Sequence, residues 1–171
     1  MDHKRTTITL SALVLLCLFG LFFGLRAVTA ELPGEGILNE SAPTCTNRVV
    51  SAGSTITSEE ITVSVYNGGG RSGLASRTMQ EFVERGFSAG DSGNARDTGV
   101  KVAQVWADSK DNPAAQLVLR QLGKGFKIHT GKPALGVGVV VVLGSDFEQL
   151  AKSAPSRIEV TEDATICSPP L

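Results

Sequence analysis

Residues 61–87 read ITVSVYNGGGRSGLASRTMQEFVERGF. Ile61, Val63 and Val65 alternate with Thr62, Ser64 and Tyr66, the two-residue period of a strand with one face on a core. Asn67-Gly68-Gly69-Gly70 turns the chain out of that strand. From about Ser72 to Arg85 the period changes. Ala75, Met79, Phe82 and Val83 fall at i, i+4, i+7 and i+8, one side of a helix. Gly86 stands where a C-terminal cap needs a left-handed residue, with Phe87 as the apolar contact beyond it. Strand, glycine turn and returning helix form the first part of a βαβ unit, which sets the fold class.

Further elements follow on the C-terminal side. Phe87–Gly90 reads as a short strand and Asp91 to Gly99 as a loop. Val100–Ala107, containing Trp106, is a second clear strand. Asn112-Pro113 opens a helix with Asn as N-cap and Pro at the first position. Ala114, Ala115, Val118, Leu119 and Leu122 share its buried side, and Gly123 ends it. Phe126–His129 is a further short strand. Val137–Leu143 is apolar on both faces and so requires cover on both. The expected fold is α/β (α+β): a small mixed β-sheet of 4–5 strands with two helices on one face, split βαβ-like. A last strand apolar on both faces is at odds with an edge position, so the sheet order stays open.

The N-terminal side is of another kind. Thr6 to Leu25 contains no charge and is dominated by Leu, Val and Phe. Extended to Val28, it reaches about 20 residues, enough to span the hydrocarbon core as a helix. His3, Lys4 and Arg5 precede it, while Glu31 and Glu35 follow soon after Arg26, which orients the N-terminus to the cytoplasm and the rest outside. Cleavage after Val28-Thr29-Ala30 is the competing reading. The expected layout is a cytoplasmic N-terminus at 1–7, a transmembrane anchor at 8–28, an extracytoplasmic linker at 29–59, a domain at 60–150 and a C-terminal tail at 151–171.

Cys17 falls inside the apolar stretch and reads as a buried thiol. Cys45 and Cys167 bracket the domain on the oxidising side, where a disulfide is the first expectation and free thiols the second.

Gly68-Gly69-Gly70-Arg71-Ser72-Gly73 fits G-x-G-x-x-G, with Asp91 about 20 residues on, the form of a dinucleotide fingerprint. The polar alternation of the preceding strand, the short domain and the extracytoplasmic setting argue against it. The glycines are expected to serve a sharp turn. A further expectation is an anion, such as a polymer phosphate, at the helix N-terminus, held by Asn67, Gly68, Gly70, Arg71 and Gly73.

Other chemistry is sparse. Gly70-Arg71-Ser72-Gly73-Leu74 is not a nucleophile elbow, and His129 is the only histidine in the domain. Neither catalytic carboxylate spacing nor zinc-ligand spacing is present, so no catalytic residue, metal or cofactor is expected. Lys and Arg are scattered without a run and the net charge is −1, against a nucleic-acid partner. Trp106 reads first as a core aromatic and second as a sugar platform.

Val63-Ser64-Val65-Tyr66-Asn67-Gly68, Ser72-Gly73-Leu74-Ala75, Arg85-Gly86-Phe87 and Val141-Val142-Leu143-Gly144-Ser145-Asp146-Phe147 together resemble the LytR C-terminal domain. That family follows the catalytic LytR–CpsA–Psr domain in cell-wall proteins and also stands alone behind one membrane helix in actinobacterial envelope proteins. The resemblance covers about residues 60–150. It implies an extracytoplasmic, non-enzymatic role in envelope integrity, by binding cell-wall polymer or a membrane-bound cell-wall synthesis protein. The segment lengths leave no room for the catalytic domain. The alternatives are a small enzyme modifying wall glycan and a purely structural accessory subunit.

Overall fold

The computed structural model describes residues 14–21 and 45–170. The chain divides into two compact units, Met1–Ala42 and Pro43–Leu171. Of the first unit, residues 14–21 are described; they are helical and exposed. Among the described residues no helix is long and apolar enough to cross a membrane. Most of the anchor expected over 8–28 lies outside the described residues.

The second unit is built on a five-stranded sheet. Its strands are β3 (Thr62–Asn67), β4 (Ser88–Asn94), β5 (Ala103–Trp106), β6 (Ile128–His129) and β7 (Val139–Leu143), with two helices, α1 (Leu74–Glu84) and α2 (Pro113–Leu122). The order across the sheet is β4-β3-β7-β5-β6. β3 runs parallel to β4 and to β7, β5 antiparallel to β7, and β6 parallel to β5. The mixed α+β class and its strand and helix order follow the sequence pattern.

The order resolves the puzzle of the last strand. β7 is central, between β3 and β5, and all five of its residues are buried. Val139, Val141 and Leu143 join Val63, Val65, Ala103 and Val105 beneath the two helices, against Leu74, Phe82, Leu117 and Val118. Val140 and Val142 point the other way, to a smaller cluster with Val100 and Trp106.

β3 differs from expectation. It is an interior strand buried on both faces, rather than a half-buried one. Its polar residues, on the face away from the helices, hold down the segment 130–138, which crosses that face as a strap. The Ser64 hydroxyl donates to the Val137 carbonyl at 2.6 Å, and the Tyr66 hydroxyl donates to the Leu135 carbonyl. Leu135 and Tyr66 pack on the second cluster. Side-chain donors thus satisfy a loop backbone that covers part of an apolar face.

Residues 45–60 and the tail also depart from the expected linker and solvated tail. β1 (Thr46–Val50) pairs antiparallel with β9 (Ala164–Ser168), and β2 (Thr55–Thr57) with β8 (Arg157–Glu159). Val50, Ile56, Ile158, Val160 and Ile166 are buried in the helix-side core. A single 3-10 turn, Ser58–Glu60, then leads into β3. Its Glu60 carboxylate accepts the Thr57 N–H at 2.7 Å and pairs with Arg48. Cys45 and Cys167 form a disulfide with Cα atoms 5.4 Å apart, 122 positions apart in sequence.

Within α1, Ala75, Met79 and Phe82 are buried as the period requires, but Val83 is 47% exposed. Asn112 caps α2, its Oδ1 accepting the Ala114 N–H at 2.9 Å, with Pro113 at the start. Arg85, just past α1, donates to the Gln121 side chain at 3.0 Å and the Ala151 carbonyl at 2.7 Å. Gln121 in turn donates to the Pro155 carbonyl at 2.7 Å. This chain of bonds ties α1, α2 and the segment beyond residue 150 together.

Candidate functional site

The glycine turn gathers Asn67, Gly68, Gly70, Arg71 and Gly73 at the C-terminal end of β3, as the sequence led one to expect. Its polar groups are engaged within the molecule. The buried Asn67 side chain donates to the Arg71 carbonyl at 2.7 Å and accepts the Gly69 N–H at 3.1 Å. The Gly68 N–H is on the Leu143 carbonyl at 2.7 Å. Arg71 reaches back to the carbonyls of Ser145 and Phe147. Gly70 and Gly73 have φ of 76° and 72°, which only glycine adopts freely. Gly69 is different: a Cβ there would fall on the backbone of Gly144 and Ser145. The turn is therefore packed against the loop after β7. Asp91, at the ribose-acid position, accepts the Val137 N–H at 3.3 Å and serves the strap. A hollow of about 120 Å³ remains beside the start of α1, lined by Asn67, Gly73, Ser76, Ser92 and Asn94.

A wider cleft, of about 310 Å³, opens where β5, the strap and the β1–β9 ribbon meet. Trp106, 6% exposed, lies in its wall with Lys132, Asn47, Asp108, Asn112 and Thr165. The indole Nε1 donates to Gln104 Oε1 at 2.9 Å, and Lys132 Nζ lies 5.4 Å from the ring centroid, in cation–π range. The core reading of Trp106 agrees with its burial, and the cleft adds a place where its ring meets polar groups. The walls are fixed from several sides. Asn112 Nδ2 donates to the Thr165 carbonyl at 3.0 Å, binding β9 to the head of α2. The disulfide holds β1 to β9 behind it.

Beside the cleft runs the β6 edge of the sheet. His129 pairs with Trp106 in register. Burial pushes its pKa below the ordinary histidine value, and Lys132, Lys110 and Lys127 lower it further. These three lysines come from three separate segments, after β5, before β6 and after β6. The charges looked scattered along the sequence because the fold, by laying β6 against β5, is what gathers them. One signal was present: residues 124–132 carry Lys124, Lys127 and Lys132 and no acidic residue. Asn112 was legible as a cap, but its second role in the cleft depends on where β9 returns. Among the described residues no group of three or more His, Cys, Asp or Glu is placed to hold a metal ion.

Residues 60–147 match the family described as the LytR cell envelope-related transcriptional attenuator. No curated protein matches the chain. Among solved structures, the chain is similar to the soluble domain of a conserved hypothetical secreted protein from Mycobacterium marinum, at 23% identity and a TM-score of 0.45. That likeness covers 60% of this chain and 68% of the other.

Proposed function

Starting from the fact that the chain belongs to the LytR cell envelope-related transcriptional attenuator family, we propose that it is an extracytoplasmic, non-enzymatic envelope protein that binds cell-wall polymer. The apolar segment 8–28 holds it to the membrane, with Lys4 and Arg5 on the cytoplasmic side. The observation that carries the binding role is the Trp106 cleft. The indole is 6% exposed with Lys132 over its ring, so the cleft offers a small apolar edge set among two asparagines, a carboxylate, a threonine and that lysine. Hydroxylated rings are bound by that combination. Outside the cleft, His129 faces lysines and Asp91 is engaged by the strap.

The test is co-sedimentation of the full chain, in detergent, with insoluble cell wall, with co-purifying membrane proteins scored in parallel. Saturable pelleting that falls on Asn112→Ala or Lys132→Ala supports polymer binding. Absence of pelleting together with stoichiometric capture of a wall-synthesis protein would move the role to a protein partner.

A further inference from the structure

The basic edge beside the cleft has a consequence for what the cleft takes. Lys124, Lys127 and Lys132 lie in a nine-residue segment free of acidic residues, and Lys110 is brought to the same imidazole by the loop after β5. All four are exposed. Among the described residues the carboxylate ion pair is Arg48–Glu60, so none of the four is neutralised by a partner at contact distance. The chain as a whole is slightly acidic, at −1, so this edge is a local excess of positive charge against the average. The acids nearby are Asp108, in the cleft wall, and Asp111; both are exposed and come from the loop between β5 and α2.

Lysines on an edge strand also guard against pairing with another sheet. That role needs any solvated charge of either sign. It does not call for Lys110, Lys127 and Lys132 to stand around one imidazole at the rim of a cleft, with a cation held over its indole. Charges spread along an open edge, next to one recess, suit a chain of repeated negative charge better than a single enclosed anion.

We propose that the β6 edge and the Trp106 cleft together bind an anionic glycan, a sugar-sized unit entering the cleft while successive acidic groups lie along Lys124, Lys127 and Lys132. This rests on the reading of the cleft as a polymer site and names the class of polymer. Lys132 belongs to both parts: it sits on the indole and faces the edge.

The experiment titrates the full chain in detergent with dextran sulfate, with neutral dextran, and with vesicles of anionic phospholipid. The variants are Lys124→Glu/Lys127→Glu/Lys132→Glu and the matching Gln set, with unchanged thermal melts checked first. The Glu set keeps the edge charged, so protection from strand pairing survives while the sign reverses. Expected are saturable binding to dextran sulfate, weakened by added salt, loss of about tenfold or more in the Glu set and a smaller loss in the Gln set. Equal binding by the Glu set overturns the proposal. So does equal affinity for neutral dextran, or binding to the vesicles alone. Pelleting with insoluble wall separates the two claims. If the Glu set pellets like the parent chain, the charge proposal falls and wall binding stands. If the parent chain ignores the wall yet shows lysine-dependent binding to dextran sulfate, the reverse holds.

Discussion

The Ser64 hydroxyl joins two elements at once: it donates to the Val137 carbonyl at 2.6 Å and accepts the Asp91 N–H at 3.0 Å. One buried hydroxyl on β3 thus fixes both the strap and the neighbouring edge strand β4. Two positions away, Thr62 is as fully buried, yet its Oγ1 has no hydrogen-bond partner. The contrast yields the first prediction. Ser64→Ala removes the partner of the half-buried Val137 carbonyl and of the Asp91 amide and should cost about 0.5–1.5 kcal/mol, whereas Thr62→Val removes an unpaired buried hydroxyl and should be neutral or stabilising. Denaturant unfolding of both variants checks this; a larger loss in Thr62→Val would show that the strap is held otherwise.

The glycine turn gives an ordering. Gly73 has a positive φ but open space around its Cβ position, so Gly73→Ala should cost about 1 kcal/mol from backbone preference alone. Gly69→Ala must drive the loop after β7 away, and should cost about 3 kcal/mol or prevent folding. Thermal melts rank them, and equal effects would contradict the packed turn.

How much of this was legible follows from where the cause lies. The β3–turn–α1 unit and the cap of α2 depend on neighbours in sequence, and both stand where the periodicity and Asn112-Pro113 put them. β1, β2, β8 and β9 were not legible, because short strands such as Thr55–Thr57 have too few residues to show a period. Their apolar residues, Ile56 and Ile158, become meaningful only when paired. Thr62, Ser64 and Tyr66 looked like a solvent face because a polar residue beneath a strap reads like one beneath water. The glycine turn is legible in the sequence, but the constraint on Gly69 comes from Gly144 and Ser145, which are distant in the chain. Lys127 and Lys132 share an acid-free segment visible in the sequence, but Lys110 joins them only through strand order, which no local pattern encodes.

The disulfide ties the first strand of the domain to the last. Closing a loop of this length removes about 4–5 kcal/mol of unfolded-state freedom as an upper figure. Cys45→Ala/Cys167→Ala should therefore lower the denaturation midpoint markedly. On the unreduced, denatured chain, alkylation followed by mass mapping should modify Cys17, which is free. Alkylation at Cys45 and Cys167 as well would contradict the bridge.

His129 supplies a pH test. Its folded pKa lies below the unfolded value, chiefly through burial and then through Lys132, Lys110 and Lys127. The unfolded chain then takes up its proton first as pH falls. The stability contributed is fully present above the ordinary histidine pKa of about 6.5, and is lost as pH drops from there toward the folded value. NMR titration should place His129 below the ordinary value. Added salt should move it upward by screening the lysines, without restoring it fully. An ordinary value at low salt would remove the positive edge from the account.

Trp106 is the only tryptophan in the chain and lines the cleft, so its fluorescence reports on that site alone. Titration of the full chain in detergent with solubilised cell-wall fragments should produce a saturable change in indole emission. The midpoint should match that found by co-sedimentation and shift on Asn112→Ala. Wall fragments that bind by sedimentation while the indole emission stays flat would contradict the cleft as the binding site.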